Sequence, residues 1–291
     1  MKSIAFLACL FMILVCAATG APAPAVQATA DPAQVSSPRQ PEPSALEILK
    51  ASIEEMKLQD SLLAGLCYDK TVIVNFLDGD LETKKSEERL ITVTSIPHGP
   101  DLEILMAVDG KPTSSKERQK SLLEQKERGK SGSPRLDLSS DDLISQFEWT
   151  LAGSEEVNGR PSTILSFKPK PGAVYKGSDA RAGKFIKKVR GRIWVDDQER
   201  VISRMEFKST APIKAFGGFL WTLNSLSVTE ERRRLPQGVW IDSTGEYFID
   251  AKALVVKRIV RRQTMRTHDY RRCSATALDS LSTQPIRARL Q

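Results

Sequence analysis

Between Gly191 and Phe207 the chain alternates apolar and polar residues with a period of two, in two runs joined by the polar stretch Asp196-Asp-Gln-Glu199. Ile193 and Val195 fall on one face of the first run, and Val201, Met205 and Phe207 on one face of the second, as side chains along a strand do. This predicts a hairpin whose apolar face needs a cover. Val72 to Leu77, Leu90 to Ser95 and Leu102 to Val108 read as further strands, separated by charged or Pro/Gly links that favour an antiparallel meander. With Phe147 to Leu151, Ser162 to Lys168, Leu223 to Glu231, Gly238 to Ile249 and residues 254–268, the total reaches about eight to ten strands, which favours a sandwich, a barrel or a strongly curved sheet.

The helical signals are fewer. Ser44-Ala-Leu-Glu47 has the form of a capping box, and Leu46, Leu49, Ile53 and Met56 follow at helical spacing among charged residues. A second, heavily charged helix is predicted from Ser114 to about Glu127, and a short third one after Ser139 to Asp142. Pro169 to Lys184 carries Gly, Pro and Lys and reads as a loop, placed to act as a rim or lid.

The ends read differently. Lys2, the apolar run Ile4 to Ala18 and the small residues Thr19, Gly20 and Ala21 predict a secretory signal peptide over residues 1–20, cleaved after Gly20. The alternative, a lipoprotein signal at Cys16, has the large Val15 in front of it. Residues 21–43 are rich in Pro, Ala, Gln and Ser and predict a disordered tether, residues 44–272 the folded domain, and residues 273–291 a flexible tail. Export to an oxidising compartment such as the periplasm allows Cys67 and Cys273 to pair, although two buried thiols that never meet are equally compatible with the sequence.

The order of elements resembles the LolA/LolB-like superfamily of outer-membrane lipoprotein-sorting proteins. The resemblance rests on the helix leading into a strand meander and on Asp109-Gly-Lys-Pro112 turning into a helix. It rests too on Gly191-Arg-Ile-Trp-Val-Asp196 with Val201-Ile-Ser-Arg-Met-Glu206, and on Leu235-Pro-Gln-Gly-Val-Trp240. It implies a mostly β fold, an antiparallel curved sheet forming an open half-barrel with the first helix and the short inserted helices on its concave side. It also implies a cavity for a lipid or acyl chain, for which Leu49, Ile53, Met56, Phe76, Met106, Trp194, Phe207 and Trp240 are the candidate lining.

Catalytic chemistry finds little material. His98 sits in a Pro-flanked turn, and His268 stands beside Asp269 where an ion-paired surface role is the default. No Gly-x-Ser-x-Gly elbow, phosphate loop, His-Glu-x-x-His or Cys-x-x-Cys occurs in the predicted mature chain, so neither a metal nor a cofactor is expected. The pairs Asp196-Asp197 and Asp141-Asp142 read as turn and capping residues. The formal net charge is +7, and a basic run near the end includes Lys257, Arg258, Arg261, Arg262 and Arg266. On an outer strand such a run prevents edge pairing or makes a solvated face; as a site it would dock on an anionic membrane surface or an acidic partner protein. The scarcity of aromatics for stacking argues against nucleic acid. The expectation is a non-enzymatic periplasmic carrier or chaperone for a lipid, acyl chain or lipoprotein. The alternative is an envelope binding module with a filled core, and a hydrolase with a noncontiguous site ranks third.

Overall fold

One sheet of twelve strands carries the fold, and every pairing in it is antiparallel. The computed structural model describes residues 43–63, 65–95, 101–130, 144–172, 180–215, 221–253 and 257–273. The strands are β1 (Leu66–Leu77), β2 (Thr83–Thr94), β3 (Leu102–Val108), β4 (Lys111–Pro112), β5 (Phe147–Val157), β6 (Arg160–Pro169), β7 (Val189–Asp196), β8 (Ile202–Ser209), β9 (Ile213–Ala215), β10 (Trp221–Arg234), β11 (Trp240–Ala253) and β12 (Lys257–Arg272). The helices are α1 (Ala45–Leu63), α2 (Ser115–Lys130) and α3 (Ala180–Ile186). The sheet runs β4-β3-β2-β1-β12-β11-β10-β8-β7-β6-β5, with β9 paired to β10 off this path. Its two ends do not meet, so the architecture is an open half-barrel with few helices, as the pattern predicts.

Local chemistry explains the elements. The predicted hairpin is β7–β8, with Ile193 opposite Met205 and Gly191 opposite Phe207. Asp196 is fully buried at its turn. Its Oδ1 accepts from the amides of Gln198 (3.1 Å) and Glu199 (2.7 Å), and Arg160 donates to both oxygens at 2.6 and 2.9 Å. Burial opposes the charge on Asp196, but these donors together hold its carboxyl below the usual range. Asp109-Gly110 and Asn158-Gly159 close β3–β4 and β5–β6, all four residues having positive φ, the backbone that two-residue hairpin turns demand. At the start of α1, Ser44 N donates to Glu47 Oε2 (2.7 Å) and Glu47 N to Ser44 Oγ (3.3 Å), a closed capping box; Ser114 and Glu117 repeat it before α2.

Four expectations are corrected. β2 begins at Thr83, because Lys84, Lys85, Glu87 and Glu88 form a charged stretch that pairs with β1 all the same. β5 runs on to Val157, since its charged and small residues are exposed on an edge strand. The segment read as a loop from Pro169 contains α3. β12 is an interior strand between β1 and β11 rather than an outer one, paired on both sides. The predicted signal peptide, the helix after Ser139 to Asp142, His98, residues 173–179 and 216–220, and nearly all of the tether and tail lie outside the described residues. Cys67 and Cys273 form a disulfide across the β1–β12 end, with Cα atoms 5.1 Å apart.

Candidate ligand-binding face

Register assigns side chains to faces, since residues directly opposite one another in an antiparallel pair point the same way. One continuous row reads Ile193, Met205, Glu230, Gly245, Met265, Val72, Arg89 from β7 to β2. The neighbouring row reads Gly191, Phe207, Val228, Tyr247, Gln263, Val74, Glu87. This is the face that bears the helices. At the β5–β7 side, Ala45, Leu49 and Ile53 of α1 pack with Ile144, Leu165, Ile193 and Val195. Across the middle lies an apolar strip of Val72, Val74, Phe207, Val228, Tyr247 and Met265, each no more than 6% exposed, with Phe76, Ile249 and Phe185 of α3 against it.

A carboxyl is sealed into the strip. Glu230 is fully buried, its Oε1 accepting from the Tyr247 hydroxyl at 2.6 Å while its Oε2 has no hydrogen-bond partner. Burial pushes its pKa well above the ordinary value, Asp242 adds to the rise, and the Tyr247 bond and Arg232 oppose it, so the site disfavours the charged form. Gly245, directly across from Glu230, leaves room for the phenol: a Cβ there would lie 2.5 Å from the Tyr247 hydroxyl.

The candidate lining residues do not share one space. Leu49 and Ile53 pack α1 down on Ile144, Leu165, Ile193 and Val195. Met56 is half-buried farther along α1. Phe76 and Phe207 belong to the strip. Met106 lies across β2 from it, at the irregularity where Leu90 pairs with Ala107 and Ile91 with Leu105. Trp194 points to the opposite face, where it packs with Val157 and Ile164 and lies beneath the guanidinium groups of Arg204 (4.6 Å) and Arg192 (4.9 Å). Trp240 closes one end of the sheet, its amide donating to Gln59 Oε1 (3.2 Å) and its indole to Glu199 Oε2 (2.6 Å). A groove of about 460 Å³ opens beside α1, between Ala51, Glu55 and Gln59 and the turn residues Gln198, Glu199 and Arg200; its polar walls suit no acyl chain. Val72, Val74, Leu226, Val228, Met265 and Glu230 line this face although none of them is among the candidate lining residues. Their signal was present, because Leu226, Val228 and Glu230 share one strand parity and Glu230 therefore points inward.

The basic run does not form one patch. Arg258 is held by Asp250 (2.9 Å) and Arg261 lies over Phe76, whereas Arg262 and Arg266 are exposed on the far face, opposite Asn75 and Thr71. Of Lys257 only the backbone is described. His268 bonds Asp269 through Nδ1 (2.8 Å) and the Thr71 hydroxyl through Nε2 (3.0 Å), an order of groups seen in hydrolytic triads. Thr71 lies in a strand paired on both sides, so the flanking amides are committed to the ladder and offer no oxyanion hole. No group of three metal-ligating side chains occurs among the described residues.

The described residues thus build an open antiparallel half-barrel with a helix-capped apolar face, in which the Glu230 carboxyl is buried. Among solved structures, the chain is similar to a domain from Vibrio parahaemolyticus named for outer-membrane lipoprotein sorting (17% identity, 78% of this chain and 91% of that one, TM-score 0.32) and to a LolA superfamily protein from Nitrosomonas europaea (10% identity, 81% and 96%, TM-score 0.32). It is also similar to the Pseudomonas aeruginosa MucA/MucB complex (12% identity, 79% and 99%, TM-score 0.24). At such TM-scores these likenesses carry no argument. No family model matches the chain, and no curated protein matches it in sequence.

Proposed function

We propose that the protein is an exported, non-enzymatic carrier of the cell envelope that holds an acyl chain, free or attached to a lipoprotein, against the apolar strip of its helix-bearing face. The observation that carries this reading is the strip itself: apolar side chains contributed in register by β1, β8, β10, β11 and β12, a span wider than α1 rests on. In the structure the strip is covered, with Phe185 of α3 among the groups that pack on it. Loading then exchanges one apolar cover for another, so the net drive comes from the ligand's own burial, about 0.8 kcal/mol for each methylene removed from water. Such a drive needs no catalytic group. The predicted signal peptide and the disulfide support an oxidising address outside the cytoplasm.

The test is direct. Delipidated protein titrated with a fluorescent fatty acid should bind it at micromolar concentration or below, and absence of binding to this and other single-chain amphiphiles would remove the proposal. Native mass spectrometry of gently purified protein should show a copurified lipid.

A further inference from the structure

Deepening the carrier reading, on which this inference rests, we propose that Arg89 and Arg261, with Lys85, form a seat for the anionic head group of a single-chain lipid at the β2 side of the apolar strip. Register places all three on the helix-bearing face: Phe76 is flanked across the strands by Lys85 and Arg261, and Arg89 stands opposite Val72. The Phe76 ring is gripped by cations, with Lys85 Nζ 5.5 Å and Arg261 Cζ 5.0 Å from its centroid. The carboxylate in this set is Glu87, shared between Lys85 Nζ (3.0 Å) and Arg89 Nε (2.7 Å). Three cations therefore meet one anion.

Arg261 is the group this imbalance leaves over. Most arginines of the sheet have a carboxylate: Arg160 has Asp196, Arg192 and Arg204 share Glu206, Arg258 has Asp250 and Arg271 has Asp69. Arg261 has none among the described residues within ion-pair distance, although it is exposed enough to be reached. Burial over the ring lowers its pKa, the like charge of Arg89 adds to the drop, and Glu87 opposes it. An arriving anion would relieve that strain between like charges, and a guanidinium fork suits a carboxylate or phosphate. From this rim the strip extends through Val72 and Met265 towards Glu230, about 19 Å from β2 to β10 at a strand spacing of about 4.8 Å. An acyl chain leaving the cationic rim would lie along it. The occupant is thus an amphiphile with a negative head, rather than a neutral or cationic one.

The experiment compares a fluorescent fatty acid with its methyl ester, identical in chain and lacking the charge, at pH 8. The wild type should favour the acid by about tenfold or more at low salt, the worth of one or two charge-assisted hydrogen bonds, with the preference shrinking as salt rises. The variant Arg89→Gln/Arg261→Gln should bind the two probes alike while keeping the wild-type affinity for the ester. If that pair of changes prevents folding, judged by thermal melting, the single variant Arg261→Gln alters an exposed side chain and should lose most of the preference. Equal binding of acid and ester by the wild type, or an undiminished preference in a folded variant, overturns the head-group seat and leaves the carrier reading intact. Failure of both probes to bind removes the carrier reading, and the seat with it.

Discussion

Glu230 shows what a single side chain costs this protein. Its folded-state pKa lies above its unfolded value, so its protonated form contributes stability in full below the unfolded pKa, and that stability is lost as pH rises towards the folded one. The slope approaches about 1.4 kcal/mol per pH unit for one proton. Glu230→Gln keeps an acceptor for Tyr247 without an ionisable group. Its melting temperature should therefore fall less than that of the wild type from pH 5 to pH 8, as circular dichroism would register; parallel curves would refute the assignment. Two glycines make a second comparison. At Gly191 an added Cβ would lie 2.1 Å from the Glu206 carbonyl oxygen and 2.7 Å from atoms of Phe167 and Phe207, whereas at Gly245 it meets the tip of the Tyr247 side chain. Backbone cannot yield as a phenol can. Gly191→Ala should be the more damaging, Gly245→Ala costing about 1 to 3 kcal/mol by denaturant unfolding.

Among the elements, α1 and α3 play different parts. α1 is fixed by its capping box and by Leu49 and Ile53 in the core, so Leu49→Ala should cost about 2 to 5 kcal/mol. Phe185 of α3 is packed on the strip but only partly buried. If α3 is part of the cover, Phe185→Ala should cost less stability than Leu49→Ala and should tighten binding of the fatty-acid probe, because less must be displaced. Weaker binding in a fluorescence titration would instead make Phe185 a ligand contact. The elements were legible where hydrophobic alternation is clean, as in β3, β7 and β8, and where both residues of a capping box are present. Alternation reveals only the apolar half of β2, because the other half is charged on both faces while its backbone pairing continues. The Asn158-Gly159 turn was a readable hairpin signal that went unused.

Across the whole molecule, sequence periodicity predicts that β12 is a strand but not where it sits, since pairing between β1 and β12 joins residues about as far apart as the folded chain permits. Alternation alone divides the basic run, since Arg261 differs in parity from Arg262 and Arg266, and it turns Trp194 away from the face of Ile193, Met205 and Phe207; only register shows which neighbours each face meets. The disulfide ties the same seam. Closing a loop with a sequence separation of 206 residues contributes about 2 to 5 kcal/mol, so Cys67→Ser, or reduction of the wild type, should lower the melting temperature without unfolding the protein at room temperature.

Among the described residues, β12, late in sequence and central in space, is thus the keystone of the sheet. While a ribosome is still adding residues beyond β11, the meander of β1 to β4 has no neighbour on its inner side, and the two halves are held together only by the chain between them. The sheet locks only when β12 has settled between β1 and β11, which is also what brings Cys67 and Cys273 within bonding reach.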